Sequence, residues 1–183
     1  MVLLPVDRVK GEVWMSALLP ALIAGWTDWQ WRRIPNWLTV PALALGIALN
    51  SWARGWSGTR DALLGAALGF ALLLPLALVR GIGMGDLKLV TAVGGILGPA
   101  RLIDVLLVTV LLNGLIALVM IVWKRRVLET LRNLGRMAGA LVSLHLPGPE
   151  LTIDNPQLVK IPFGVAFAVA VVLFTARKFW EVS

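Results

Sequence analysis

The sequence predicts an all-α protein, a polytopic membrane helix bundle of about six transmembrane helices built as one domain over residues 1–183. Three observations predict it. The chain is 58% hydrophobic and only 15% charged, with a mean hydropathy of +0.84. Soluble domains carry about 45–50% apolar and about 25% charged residues, so the surplus apolar surface needs lipid to cover it. Six apolar stretches are marked off by charges, Pro and Gly. Finally, the Lys and Arg residues that give a net charge of +7 lie between those stretches and not along one face. That pattern reads as membrane orientation, and it argues against a nucleic-acid partner.

The stretches run over residues 13–26, 37–53, 62–79, 87–97, 102–123 and 161–176. A spanning helix needs about 20 residues, so the third and fifth qualify by length alone. The first is short, but Trp14, Trp26, Trp29 and Trp31 supply interfacial anchors that let it extend. Lys10, the apolar run and Ala24-Gly25 also fit a cleavable signal peptide, although Asp7, Glu12 and Pro20 weaken that alternative. The fourth, ending at Gly98-Pro99, is too short to cross alone and is expected to begin below the membrane surface. Gly65-Ala66-Ala67-Leu68-Gly69 in the third offers small residues for close helix contact. Between the fifth and sixth stretches, Val127, Leu128, Leu131, Leu134 and Leu141 recur at helical spacing, with Arg125, Arg132 and Arg136 among them. An amphipathic helix lying on lipid is expected there, before the break at Pro147-Gly148-Pro149.

Counting Lys and Arg in alternate linkers gives ten on one face and seven on the other. The excess places the first, third and fifth linkers in the cytoplasm and both termini outside it. Asp28 closes the first stretch and Asp86 opens the fourth, so both fall at the cytoplasmic face.

The chemistry available is narrow. Without Cys there is no thiolate metal site, disulfide or thiol nucleophile, and one His, His145, cannot furnish a multi-His site. No metal or cofactor is expected. Ten carboxylates remain as the acid–base resource. Two carboxyls meeting at low dielectric share a proton and titrate as a pair, which suits activation of water against an amide. Each Asp also has a plainer reading: Asp28 as an interfacial charge, Asp86 as a helix N-cap. Neither explains why both fall on one face. Gly83 and Gly85 would permit unusual backbone and close approach of another chain or helix. Lys88, two residues beyond Asp86, either snorkels to the interface or serves as a counterion if the local backbone is irregular. Asp61 and Asp104, on the opposite face, need only anchoring or N-cap roles.

Gly83-Met84-Gly85-Asp86-Leu87-Lys88-Leu89 resembles the second catalytic block of the type IV prepilin peptidases, membrane aspartic proteases with a Gly-x-Gly-Asp motif. Asp28 followed by Arg33-Ile34-Pro35-Asn36-Trp37-Leu38-Thr39 resembles their first block, and Ile161-Pro162-Phe163-Gly164-Val165-Ala166 the start of their last helix. The resemblance implies an aspartic endopeptidase of the bacterial inner membrane. Its substrates would be prepilins or pseudopilins, which it would cut after Gly at the cytoplasmic face to remove a basic leader. Asp28 and Asp86 carry over as the catalytic pair, supported by Gly83, Gly85 and Lys88. Pro35, Asn36, Pro162, Phe163 and Gly164 are expected to line a substrate groove. The chain is similar to the short form associated with Flp or tight-adherence pili. It shows no N-terminal cysteine-bearing segment of the kind linked to N-methylation, so methyl transfer is not implied. Membrane lipid is the other expected partner, and the oligomeric state is not legible. A small proton-coupled transporter and a non-catalytic pilus-assembly scaffold stand as alternatives.

Overall fold

The computed structural model describes residues 6–78, 81–123 and 163–182, with position 135, and gives side-chain surroundings for 13–78, 81–123, 135, 163–177 and 180. The expected surface helix, the linker from Lys124 and Pro162 lie outside the described residues. All regular structure among the described residues is helical: α1 (Val6–Trp31), α2 (Asn36–Leu78), α3 (Met84–Leu97), α4 (Pro99–Trp123) and α5 (Phe163–Val182). Two of these, α2 and α4, are long and apolar enough to cross a membrane, and Phe163–Arg177 is a shorter apolar helix.

The first stretch extends at both ends into the 26 residues of α1 and carries Pro20 inside it. On this helix Trp14, Ala17, Ala21, Ala24 and Asp28 are all buried. Their spacing of three or four residues puts them on one face. That face packs against α5 in antiparallel fashion. Near one end Trp14 stacks on Phe174 with ring centroids 5.5 Å apart, and near the other a methyl at Gly25 would come 2.8 Å from Ala168 Cβ. Small residues on α1 thus bring the two backbones close where Asp28 sits.

The second and third stretches form one 43-residue helical element with a single break at Gly55, at φ 58°, ψ −139°. A left-handed φ favours a residue without Cβ, and this one glycine takes the place of the expected polar linker. The chain reverses there. Ser51 Oγ lies 2.7 Å from Thr59 Oγ1, and a methyl at Gly58 would overlap the carbonyl of Asn50. Arg54 closes the turn with an ion pair to Asp61 at 2.8 Å. Asp61 therefore does have the anchoring role expected of it.

Both arms of α2 pack on α3, the most extensive contact in the molecule. The first arm runs parallel to α3: Ile34 meets Gly85, Asn36 meets Lys88, and Gly46 meets Gly95 and Ile96. The second runs antiparallel, with Gly65 against Gly94 and Gly69 against Val90. A methyl at Gly65 would overlap the Gly94 carbonyl oxygen, and one at Gly69 would sit 2.9 Å from the Val90 oxygen. The run of small residues at 65–69 is indeed a packing seam, and Gly94 and Gly95 are its counterpart on α3.

The end of α3 shows how a helix terminus is satisfied within an apolar bundle. Its last four carbonyls have no partner inside the helix. Gly98, at φ 78°, donates its N–H to Gly94 O at 2.9 Å. Asn50 Nδ2 donates to Gly95 O at 3.2 Å, Ile96 O at 2.9 Å and Gly46 O at 2.9 Å, and Arg101 donates to Leu97 O at 3.2 Å. Pro99, which has no N–H to leave orphaned, then starts α4. Replacing Asn50 with Leu removes the donor for two buried carbonyls and should destabilise the fold by about 1–3 kcal/mol for each group left unpaired. Thermal unfolding of the detergent-solubilised protein measures this; an unchanged midpoint would mean that those carbonyls find other donors.

Most of the lateral surface is apolar and exposed, including Leu107, Val110, Leu111, Leu115 and Leu118 on α4. Eight of the nine Trp residues are exposed, and only Trp14 is buried. Trp26, Trp29, Trp31 and Trp37 cluster where α1 ends and α2 begins, while Trp52 and Trp56 flank the Gly55 turn at the opposite end. This arrangement fits a membrane protein with aromatic residues at both interfaces.

Candidate active site

The carboxyls of Asp28 and Asp86 are brought to one end of the bundle by three helices. Asp28 lies in the last turn of α1 and is 7% exposed. Its Oδ2 accepts the backbone N–H of Gly164, in the first turn of α5, at 2.8 Å. The next residues terminate α1. Arg32 adopts a left-handed conformation, φ 53°, and its N–H returns to Asp28 O at 3.0 Å, which caps the helix with a residue type that rarely takes this position. The Arg32 charge also acts on the Asp28 carboxyl.

Asp86 is the third residue of α3 and is half-buried. Its Oδ2 reaches back to the N–H of Gly83 at 3.3 Å, while the Asp86 and Leu87 amides both donate to Gly83 O. This is the carboxylate half of a capping box, favourable at the positive end of a helix. The two carboxyls are close enough for the charge of one to act on the other. Fifty-eight positions apart in the chain, they lie at the same end of the bundle.

The glycines beside Asp86 are needed for space and not for unusual torsion angles. Gly83 has φ −73°, ψ 143°, which any residue can adopt, and Gly85 lies within α3. A methyl at Gly85 would approach Ile34 Cβ to 3.1 Å and Ile34 N to 3.3 Å. The close approach expected here is made by the protein's own Ile34, just ahead of α2. A methyl at Gly83 would lie 3.1 Å from Asp86 Oδ2. Lys88 does not turn to the carboxyls: its Nζ donates to Asn36 Oδ1 at 3.0 Å, tying the start of α2 to the start of α3.

Several residues expected in a substrate groove are engaged within the protein. Pro35 O accepts the amides of Leu38 and Thr39 and so starts α2. Asn36 holds Lys88, Phe163 stacks on the buried Phe167 with centroids 6.1 Å apart, and Gly164 holds Asp28. An apolar groove of about 380 Å³ lies between α1 and α5, lined by residues including Leu22, Gly25, Trp29, Val165, Ala168 and Val172. Among the described residues no cluster of three or more acidic or His side chains could hold a metal.

Two residues escaped the sequence reading. Gly25 appeared only as part of a possible cleavage site, yet it lets α5 approach α1. Asn50, the cap of α3, carried one available signal: it is an amide in an otherwise apolar run.

Fold and site together define a helical membrane protein with paired aspartates at one end of its bundle. The chain belongs to the type IV leader peptidase family, whose model matches residues 15–122, a range that contains both aspartates. It is 33% identical over 106 residues to the prepilin leader peptidase/N-methyltransferase of Burkholderia pseudomallei strain 1026b, and equally to that of strain K96243. Each alignment covers 54% of this chain and 34% of the relative, so the match extends over about a third of the length of these curated proteins. No solved structure matches the chain.

Proposed function

We propose that this protein is an aspartic endopeptidase of the bacterial inner membrane that removes the basic leader from type IV prepilins or pseudopilins. The observation that carries this reading is the convergence of Asp28 and Asp86, from separate helices, within a stretch that belongs to the leader peptidase family. Two adjacent carboxyls do not both ionise readily, so one proton is shared between them. The ionised partner removes a proton from water as the oxygen attacks the scissile carbonyl. The protonated partner hydrogen-bonds the carbonyl oxygen as it becomes negative, and the proton taken from water passes to the amide nitrogen as the C–N bond breaks and the amine leaves. No side-chain nucleophile, metal or cofactor takes part.

In the membrane we read six spans: α1, the two arms of α2, α3, α4 and α5. The antiparallel arms of α2, and the start of both α3 and α5 at the end where α1 finishes, support this count. With 25 residues at 1.5 Å each, α4 is about 37 Å long, enough to return from the Gly98 turn to the aspartate end. At 14 residues, α3 is about 21 Å long, shorter than the hydrocarbon core. Asp86 then lies below the membrane surface at its cytoplasmic side, and the termini lie outside the cytoplasm.

The test is direct. The protein in liposomes, given a prepilin with a basic leader, should release the leader and expose a new amino terminus, read by mass spectrometry. An intact prepilin in an assay where a known leader peptidase cuts would sink the proposal. A reporter fused after Arg33 should be active only in the cytoplasm.

A further inference from the structure

The geometry points to Gly164 as the positioning residue of the aspartate pair: its backbone N–H holds the Asp28 carboxyl, and its lack of a side chain lets α5 do so. This rests on the endopeptidase reading and assigns within it a task that neither aspartate motif contains. Asp28 is buried on the inner face of the last turn of α1, and its own helix cannot supply a donor to its side chain from below. The donor comes from 136 positions away, at 2.8 Å and buried, from the free N–H groups at the start of α5. Such a bond to a carboxylate is charge-assisted and favours the ionised form. The space is equally restricted, since a methyl at Gly164 would lie 3.0 Å from both Cβ and Oδ2 of Asp28 and 3.3 Å from Ala24 O. Gly25, facing Gly164 O at 3.3 Å from its would-be methyl, is the matching gap on α1.

The bond also separates the two aspartates chemically. Asp86 receives only the longer 3.3 Å contact from Gly83, on its own helix terminus. Of the two, Asp28 therefore has the better-held carboxyl and is the partner suited to act as base toward water, with Asp86 the partner that keeps the proton. Among the described residues, the charged groups that act on Asp28 are Asp86 from α3 and Arg32 from the end of α1. In α5 no charged residue precedes Arg177, and in α2 none precedes Arg54.

Two variants of the full-length protein in liposomes test this. Glycolic acid incorporated at position 164 replaces the amide by an ester and removes only the N–H. The acidic limb of the kcat/KM profile against pH should then move up by about one unit, the equivalent of one charge-assisted hydrogen bond. Gly164→Ala keeps the N–H but moves Asp28, and should lower kcat about 10- to 100-fold with KM within about twofold. Asp28→Asn is measured beside them. An ester variant with an unchanged profile, or an alanine variant with wild-type kcat, next to an inactive Asp28→Asn, overturns the role of Gly164 alone. Full processing by Asp28→Asn overturns the pair itself and this role with it.

Discussion

Replacing either Asp28 or Asp86 with Asn should reduce leader removal by about 10²–10⁴-fold while leaving the protein folded. Each substitution preserves shape and removes one half of the shared-proton system. In Asp28→Asn the amide can still accept the Gly164 N–H through its oxygen, so the contact between α1 and α5 survives while the base is lost. In Asp86→Asn the amide oxygen can still accept from Gly83, so the α3 start survives while the proton donor to the substrate carbonyl is lost. Because the residues act as a unit, the double variant should be hardly slower than either single one. Prepilin size on gels and the thermal midpoint of each variant read the two halves of this expectation. Full processing by either variant would remove the aspartates from the mechanism. A proton-coupled transporter would show altered proton flux in liposomes and no cleaved product, and a scaffold would tolerate both changes.

The largest structural effect is expected from Gly94→Leu. A side chain at Gly94 would lie 2.8 Å from Leu102 and would overlap the Gly65 carbonyl oxygen, so there is no room for even a methyl. Over-packing a close-packed interior costs about 1–3 kcal/mol when neighbours can yield, and more when the obstacle is backbone, as here. The second arm of α2 must then separate from α3, and the α3 carbonyls lose their ordered surroundings. Loss of folded protein in detergent, or a thermal midpoint lowered by several degrees, is expected, with activity lost in proportion. By contrast, Gly114→Leu, on α4 with nothing within 4 Å of an added Cβ, should fold normally. Equal behaviour of the two variants would mean that the seam between α2 and α3 does not hold the bundle together.

Part of this architecture is legible because it depends on local pattern. The ends of the apolar runs, Gly98-Pro99 as a break, and the small residues at 65–69 all act through nearest neighbours or one helix face. The buried stripe from Trp14 to Asp28 follows helical spacing, so the placement of Asp28 on the inner face of α1 was available from the chain. The placing of Asp28 and Asp86 at one end of the bundle was expected from counting crossings, which needs no side-chain geometry. The hairpin at Gly55 was less accessible. Charged and polar residues at 54–61 suggested a linker, whereas the chain stays helical on both sides of a single glycine, because Asn50, Ser51, Arg54, Thr59 and Asp61 satisfy one another there.

Taken alone, the sequence determined that this protein is helical, rich in apolar surface and supplied with carboxylates as its main acid–base resource, and it singled out the two aspartates on which the proposed function rests. Only the tertiary structure decided what holds them. Helices apolar on nearly every side carry little pattern to fix their rotation, so which groups face each other is set by close packing between backbones. That packing puts Gly164 on Asp28, Ile34 on Gly85 and Lys88 on Asn36, each across a gap that one small residue leaves open or one hydrogen bond closes.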